Sequence, residues 1–294
     1  LLPDLVIHAD ETYLDSKTVQ TILAPHATDD RVRGVMYYGT LRDLVDGGRL
    51  RDAAERAVAA LGRGGRVLIA GFGASLVERE TRALLGREGS GPAEVPASTL
   101  VYCDLARWEA QLRYRSGGTN HFWDNPGEDP LKKNKLGFFI EWRLADKIKA
   151  DLLDDIDYYL DSNVAGSPKM VSGEALRCGL RAVVRGPFRL VPYFDPGVWG
   201  GQWMKRTCGL DESRDNYAWS FDGVPEENSL YFRYGHVRIE LPAMNAVLYQ
   251  PRELLGERNY SRFGAEFPIR FDLLDTMDGQ NLSLQAVSYT HLRA

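Results

Sequence analysis

Phe267, Ile269, Phe271 and Leu273 alternate with Pro268, Arg270 and Asp272, the two-residue period of a half-buried strand. Asp278-Gly279-Gln280-Asn281 supplies turn residues, and Leu282 and Leu284 then alternate with Ser283 and Gln285. The stretch 263–285 therefore reads as a strand, a turn and a strand, the hairpin of a sandwich or barrel with a polar outer face. Ahead of it, 229–234 and 237–241 read as strands around Gly235-His236, 245–249 as another, and 251–256 as a turn or short helix. The earlier part has a different rhythm. Residues 1–16 show little pattern. Asp15-Ser16 is placed to cap a helix over 17–23 that stops at Pro25, and Thr28-Asp29-Asp30 and Thr40 are further cap candidates. Leu50, Ala53, Ala54, Ala57 and Val58 make the apolar stripe of a helix over 49–61 ended by Gly62. Further helices are expected at 74–85, 104–115, 142–153 and 172–184, and strands at 66–70, 98–103, 138–140, 156–160 and 188–192. Residues 116–136 read as a long polar loop.

Strands alternating with helices, each strand ending in an acid or glycine, predict an α/β fold: a mainly parallel three-layer domain over 1–194. Asp195-Pro196-Gly197-Val198-Trp199-Gly200-Gly201-Gln202-Trp203 breaks that rhythm. A partial β domain follows over 195–285, where the spacing of strands and glycine turns fits an antiparallel barrel or sandwich. A length of 294 residues suits about two domains. Hydrophobic and charged contents of 44% and 26% are ordinary for globular protein. A net charge of -5 gives no general attraction to nucleic acid or anionic membrane, and no apolar run approaches the ~18 residues of a membrane span. Cys103, Cys178 and Cys208 are widely spaced, without a CxxC pair or Cys/His cluster. With no secretory signal in view, a reducing cytoplasm is the expected location.

Candidate chemistry is sparse. Gly71-Phe72-Gly73-Ala74-Ser75 joins a strand to a helix, a geometry that offers backbone N–H groups to a phosphate, so Gly71 and Gly73 are candidate cofactor-binding residues. No phosphate-loop lysine follows, and a plain tight turn is the alternative reading. Asp104 ends a strand, where ligands meet α/β sheets. Arg107, Gln111 and Arg115 recur at four-residue spacing on one helix face, either to grip phosphate or as a solvated or interdomain stripe. Lys132-Lys133-Asn134-Lys135 reads as a solvated basic turn, or as cover for an anion. His236 stands alone at a turn and reads as a surface or packing residue.

Two stretches carry a family resemblance. Phe271-Asp272-Leu273-Leu274-Asp275 followed by Leu282-Ser283-Leu284-Gln285 resembles the front of the cupin barrel in class I mannose-6-phosphate isomerases, and Trp199-Gly200-Gly201 is similar to the motif near the start of their isomerase domain. The wording VYCDLARWEAQLRYR, FFIEWRLADK and YYLDSN, within about 17–190, resembles the nucleoside- or uridine-kinase-like domain fused ahead of some bacterial members. The resemblance implies a nucleotide-kinase-like domain followed by a cupin-like one. It implies interconversion of mannose 6-phosphate and fructose 6-phosphate through an enediol, with Ser283 at the sugar phosphate and Gln285 as a zinc ligand. Such a reaction needs a base and a group to hold the developing oxyanion. The family histidine expected two residues after Gln285 is replaced by Val287. Residues 286–294, AVSYTHLRA, read as an adapter-derived tail, so native sequence is expected to end near Gln285. One ligand cannot hold zinc, which takes three or four, so neither bound metal nor isomerase activity is expected of residues 1–294 alone. No catalytic residue is assigned. The competing readings are a nucleotide- or phosphometabolite-binding module without isomerase activity, and a structural fusion partner.

Overall fold

The computed structural model describes residues 2–27, 35–88 and 97–277. Along them run β1 (Leu5–His8), α1 (Ser16–Leu23), α2 (Gly47–Gly62), β2 (Val67–Ala70), α3 (Ala74–Glu88), β3 (Val101–Asp104), α4 (Arg107–Arg115), α5 (Pro130–Leu136) and α6 (Trp142–Leu152). There follow β4 (Tyr158–Asp161), β5 (Lys169–Ser172), α7 (Gly173–Val183), β6 (Tyr193–Asp195), α8 (Trp203–Cys208), β7 (Trp219–Gly223), β8 (Ser229–Tyr234) and β9 (Val237–Pro242). The order closes with α9 (Met244–Tyr249), α10 (Pro251–Leu255), α11 (Glu257–Phe263) and β10 (Phe271–Leu274). The protein is mixed α/β, with small parallel, antiparallel and mixed sheets. It divides into two compact units that interleave in sequence. One comprises Leu1–Thr99 and Gly117–Leu152, the other Leu100–Ser116 and Leu153–Ala294. The composition break at 195–203 falls within the second unit.

In the first unit β1 and β2 pair in parallel, Leu5 opposite Val67 and His8 opposite Ala70. Ile7, Leu23, Leu44, Ala53, Ala57 and Val77 are buried around the pair, together with Ile140 and Leu144 from the later segment. The helices begin where local chemistry requires. Asp15 accepts from the Thr18 N–H at 3.0 Å to cap α1, and Asp46 accepts from Arg49 N–H at 3.0 Å to cap α2. In the second unit β3 and β4 are parallel and β5 joins β4 antiparallel. β8 and β9 form a hairpin, and β10, β7 and β6 form a third sheet in that order.

Several expected elements differ. Residues 138–140 are not a strand but part of a π-helical turn, Gly137–Glu141, continuous with α5 and α6. A short apolar run cannot be told from a buried helical turn by periodicity. Residues 245–249 are α9 instead of a strand: Met244–Val247 are buried whichever way they face, so their alternation carries no information. Residues 188–192, bounded by prolines at 187 and 192, make one bridge, Val191 to Ser229, and the strand comes at Tyr193. The 116–136 loop ends in α5, and the unpatterned 1–16 contains β1. Of the expected strand over 267–273, only Phe271–Leu274 pairs, and Phe271 and Leu273 stay 55% and 43% exposed. The second strand of that hairpin lies outside the described residues.

Gly173 shows how tightly the second unit is built. Ser172 caps α7 through the Ala175 N–H, and a Cβ on Gly173 would overlap the Ile156 carbonyl oxygen. Gly173→Ala gains helix propensity of up to about 1 kcal/mol but forces apart two backbone segments, which cannot yield as a side-chain tip would. A net loss of about 2 kcal/mol is expected in denaturant unfolding, and an unchanged or raised midpoint would contradict the close packing.

Candidate functional site

At the carboxyl ends of β1 and β2, polar groups from three segments of the first unit converge. β1 leads into a tight turn, Ala9–Thr12, and β2 into Gly71-Phe72-Gly73 before α3. Gly71 and Gly73 have φ of 110° and 94°, so any other residue would be strained in either place. A Cβ on Gly71 would lie 3.2 Å from Asp10 Oδ1, and one on Gly73 would overlap Leu41. The glycine turn therefore leaves room for the Ala9–Asp10 segment and the Leu41 side chain, with an acid at its rim. Its own carbonyls are used locally, by Ala74 N–H at 3.1 Å and Leu76 N–H at 2.8 Å.

Tyr13 and His121 complete the mouth. The Tyr13 hydroxyl donates to the Phe72 carbonyl. Having given its one proton there, its oxygen accepts from His121 Nε2 at 3.1 Å, which leaves His121 Nδ1 as an acceptor. The imidazole packs edge-on against Phe72 and Phe122, with centroids 5.1 and 4.7 Å away. Burial holds the His121 pKa below its ordinary value, opposed by Asp10, whose Oδ1 is 3.9 Å away. Burial likewise pushes the Tyr13 hydroxyl well up. The loop presenting His121 is tied down. Glu141, on the π-helical turn, accepts from the His121 N–H and from Asn120 Nδ2 at 2.9 Å. Lys133 Nζ holds the Gly118 and Pro126 carbonyls at 2.9 and 2.7 Å. Lys133 is thus buried and structural, not part of a solvated turn.

Asp104 and Arg107 lie in the second unit, where both are buried. Asp104 Oδ2 accepts from the Tyr159 hydroxyl at 2.8 Å and Asn245 Nδ2 at 3.0 Å, and Oδ1 from the Leu105 N–H at 3.0 Å. The stripe Arg107, Gln111 and Arg115 does share one face of α4; Arg107 and Gln111 are buried, while Arg115 is exposed but paired. Gln111 Nε2 donates to Glu227, and Arg115 grips Asp195 with two bonds of 2.7 Å. Arg107 favours the charged form of Glu227, yet burial outweighs it and Glu226 and Asp195 add repulsion, so the Glu227 pKa is pushed up to about 8.

The second unit also joins two of the sequence motifs. Gly201 N–H donates to the Asp275 carbonyl at 2.9 Å, and Met277 N–H to the Trp199 carbonyl at 2.8 Å. Gly200 forms an antiparallel bridge with Thr276. Asp275 Oδ2 caps α8 through the Met204 N–H at 2.9 Å, and a Cβ on Gly201 would overlap its carboxylate. Ser283 and Gln285 lie outside the described residues. Among the described residues no group of three or more His, Cys, Asp or Glu is arranged to hold a metal, and no helix is long and apolar enough to cross a membrane. His236 is exposed at the β8–β9 turn.

Residues 1–86 and 88–185 match a family described as a domain of unknown function, DUF8485. The chain belongs to that family. No curated protein and no solved structure matches it. The DUF8485 match takes in the Asp10, Tyr13 and His121 cluster, Asp104 and Arg107, and ends just past α7. Asp10, Tyr13 and His121 escape a reading of the sequence because they come from segments more than a hundred residues apart. The one available signal was a histidine within a Gly/Asn/Pro-rich loop.

Glu227 gives a testable pH dependence. Its folded pKa of about 8 lies above the ordinary 4.5, so between those values the folded state holds a proton that the unfolded chain releases. Stability contributed by this group is therefore full below about pH 4.5 and falls as pH rises toward 8, by on the order of a few kcal/mol. Urea unfolding of Glu227→Gln across this window should show that slope removed. A slope unchanged from the parent would mean that Glu227 is ionised throughout.

Proposed function

We propose that residues 195–285 carry the opening part of a cupin-type sugar-phosphate isomerase domain, preceded over 1–194 by a nucleoside-kinase-like stretch whose residues 100–116 and 153–194 pack with them in the second unit. In this reading Ser283 contacts the substrate phosphate and Gln285 is one zinc ligand. The observation that supports it is the packing of Trp199-Gly200-Gly201 onto Asp275-Thr276-Met277, directly after the Phe271–Leu274 strand. Two motifs that resemble the same family, and that are far apart in sequence, fold against each other as parts of one sheet system. Both are constrained there by function-neutral contacts: glycine at 201 because Asp275 occupies the space of a side chain, and Asp275 because it caps α8. The described residues do not supply a zinc site, so no step is assigned to the metal, and no residue is assigned as the base.

A second reading concerns the first unit, as a module that binds a nucleotide or phosphometabolite. It is favoured by the convergence of Asp10, Tyr13 and His121 around the Gly71–Gly73 turn at the ends of two parallel strands.

A coupled assay on the full gene product should detect conversion of mannose 6-phosphate to fructose 6-phosphate. Ser283→Ala should raise KM roughly tenfold with a smaller change in kcat, as expected for loss of a phosphate contact. Absence of both turnover and calorimetric sugar-phosphate binding would overturn the isomerase reading. For the first unit, ATP or uridine should bind saturably, and His121→Ala should weaken that binding by roughly tenfold. Binding that is indifferent to His121 would exclude this mouth.

A further inference from the structure

The β8–β9 hairpin has an edge that the chain closes at one point. Val191 N–H donates to the Ser229 carbonyl at 2.8 Å, and Asn228 Nδ2 holds the Val191 carbonyl at 2.9 Å. Alternate residues of an antiparallel strand face the same neighbour, so the main chains of Tyr231 and Arg233 point to the side on which Ser229 meets Val191. Among the described residues neither takes a backbone partner there. Continuing the register would set Arg189 against Tyr231 and Pro187 against Arg233. Proline has no N–H to give, and the segment 186–192 leaves the edge.

What remains between that segment, β8 and α7 is an open groove of about 610 Å³. Its floor includes Ala182, Val183, Leu190 and Phe232, its charged lining residues are Arg189 and Arg233, and no acid lines it. Neither arginine forms an ion pair among the described residues. Arg233 also stands directly across the hairpin from Arg238, whose guanidinium lies 4.4 Å from the centre of the Tyr231 ring. Like charges directly opposite one another weaken a ladder. Such a pair, beside an unpaired strand edge and an acid-free apolar groove, suits an anionic partner.

We propose that this edge docks an extended acidic peptide segment of a partner protein. The segment adds as a strand against Tyr231 and Arg233, sets alternate apolar side chains into the groove over Ala182 and Phe232, and turns its acidic side chains toward Arg189 and Arg233. A second copy of the chain is a poorer occupant, because edge-to-edge pairing of two β8 strands would bring arginine clusters together.

The test is fluorescence polarisation with a labelled six-residue peptide alternating glutamate and valine. The controls are the same peptide with lysine for glutamate, and one with a central proline. The acidic peptide should bind saturably, and both controls roughly tenfold more weakly or worse. Arg189→Glu combined with Arg233→Glu should weaken the acidic peptide by a similar factor and strengthen the lysine peptide. Ala182→Trp, which fills the groove from an exposed helix position, should block binding while leaving the thermal midpoint in place. Hydrogen exchange at Tyr231 and Arg233 should slow in the complex. The proposal is overturned by absent saturable binding, by equal affinity for acidic and lysine peptides, or by affinity unchanged in the charge-reversed protein. It is equally overturned if sedimentation shows the edge closed by self-association that the charge reversal abolishes.

Discussion

A carboxylate removed from water has to be given donors, and each unit of this fold is pinned where that requirement is met. In the first unit the peg is Glu141, which accepts from the His121 N–H and from Asn120 Nδ2. In the second, Asp104 joins β3 to Tyr159 and Asn245, and Asp161 accepts from the Glu240 N–H at 2.9 Å and from Asn163 Nδ2 at 2.7 Å. Glu240 in turn accepts from Trp108 Nε1 at 2.7 Å and from the Ser229 hydroxyl. The short strands, three to six residues each, bury little apolar surface alone. These bonds set which strand and helix lie side by side, because removing one partner leaves a buried charge whose penalty exceeds the worth of the bond.

How much of this could be read from the sequence depends on the range of the interaction. Asp15, Asp46 and Ser172 cap helices three residues away, so the chemistry is local and the helices at 16, 47 and 173 are legible. The β8–β9 hairpin is legible because one of its faces is buried and Gly235 can take the positive φ of its turn. Where no residue of a run is exposed, period fails: the 138–140 and 245–249 runs look like strands and are helical. The polar pegs are the least legible. Asp104 at the end of a strand invites a ligand, and its partners prove to be Tyr159 and Asn245, which nothing near Asp104 announces. The same limit hides the mouth of the first unit, since His121 gains its meaning only beside Tyr13.

That mouth poses an electrostatic question that geometry partly answers. A glycine turn at a helix start favours an anion, through N–H groups and the helix dipole. Here Asp10 stands at its rim, and burial lowers the His121 pKa, which works against a compensating positive charge there. At 3.9 Å from Asp10, a protonated His121 would supply one, and each change that stabilises the imidazolium also relieves the acid. If the first unit is the nucleotide- or phosphometabolite-binding module proposed above, turn and acid together favour a ligand with both an anionic and a hydrogen-bond-donating part over a bare phosphate.

The division of the chain by packing bears on how its two parts are to be understood. Leu100–Ser116 lies within the DUF8485 match, yet β3 and α4 belong to the unit completed by residues beyond 152. The partners of α4 lie later still. Gln111 meets Glu227, Arg115 meets Asp195 and Trp108 meets Glu240, all past residue 185, where the match ends. A segment 186–294 that had been appended to a finished domain would make exposed, replaceable contacts with it. Instead it supplies the hydrogen-bond acceptors for a helix face whose Arg107 and Gln111 are buried, and a chain cut at 185 would leave that face stripped of its partners, the Asp195 counter-charge of Arg115 among them. The later β segments are therefore a structural requirement of the second unit, whatever chemistry they carry.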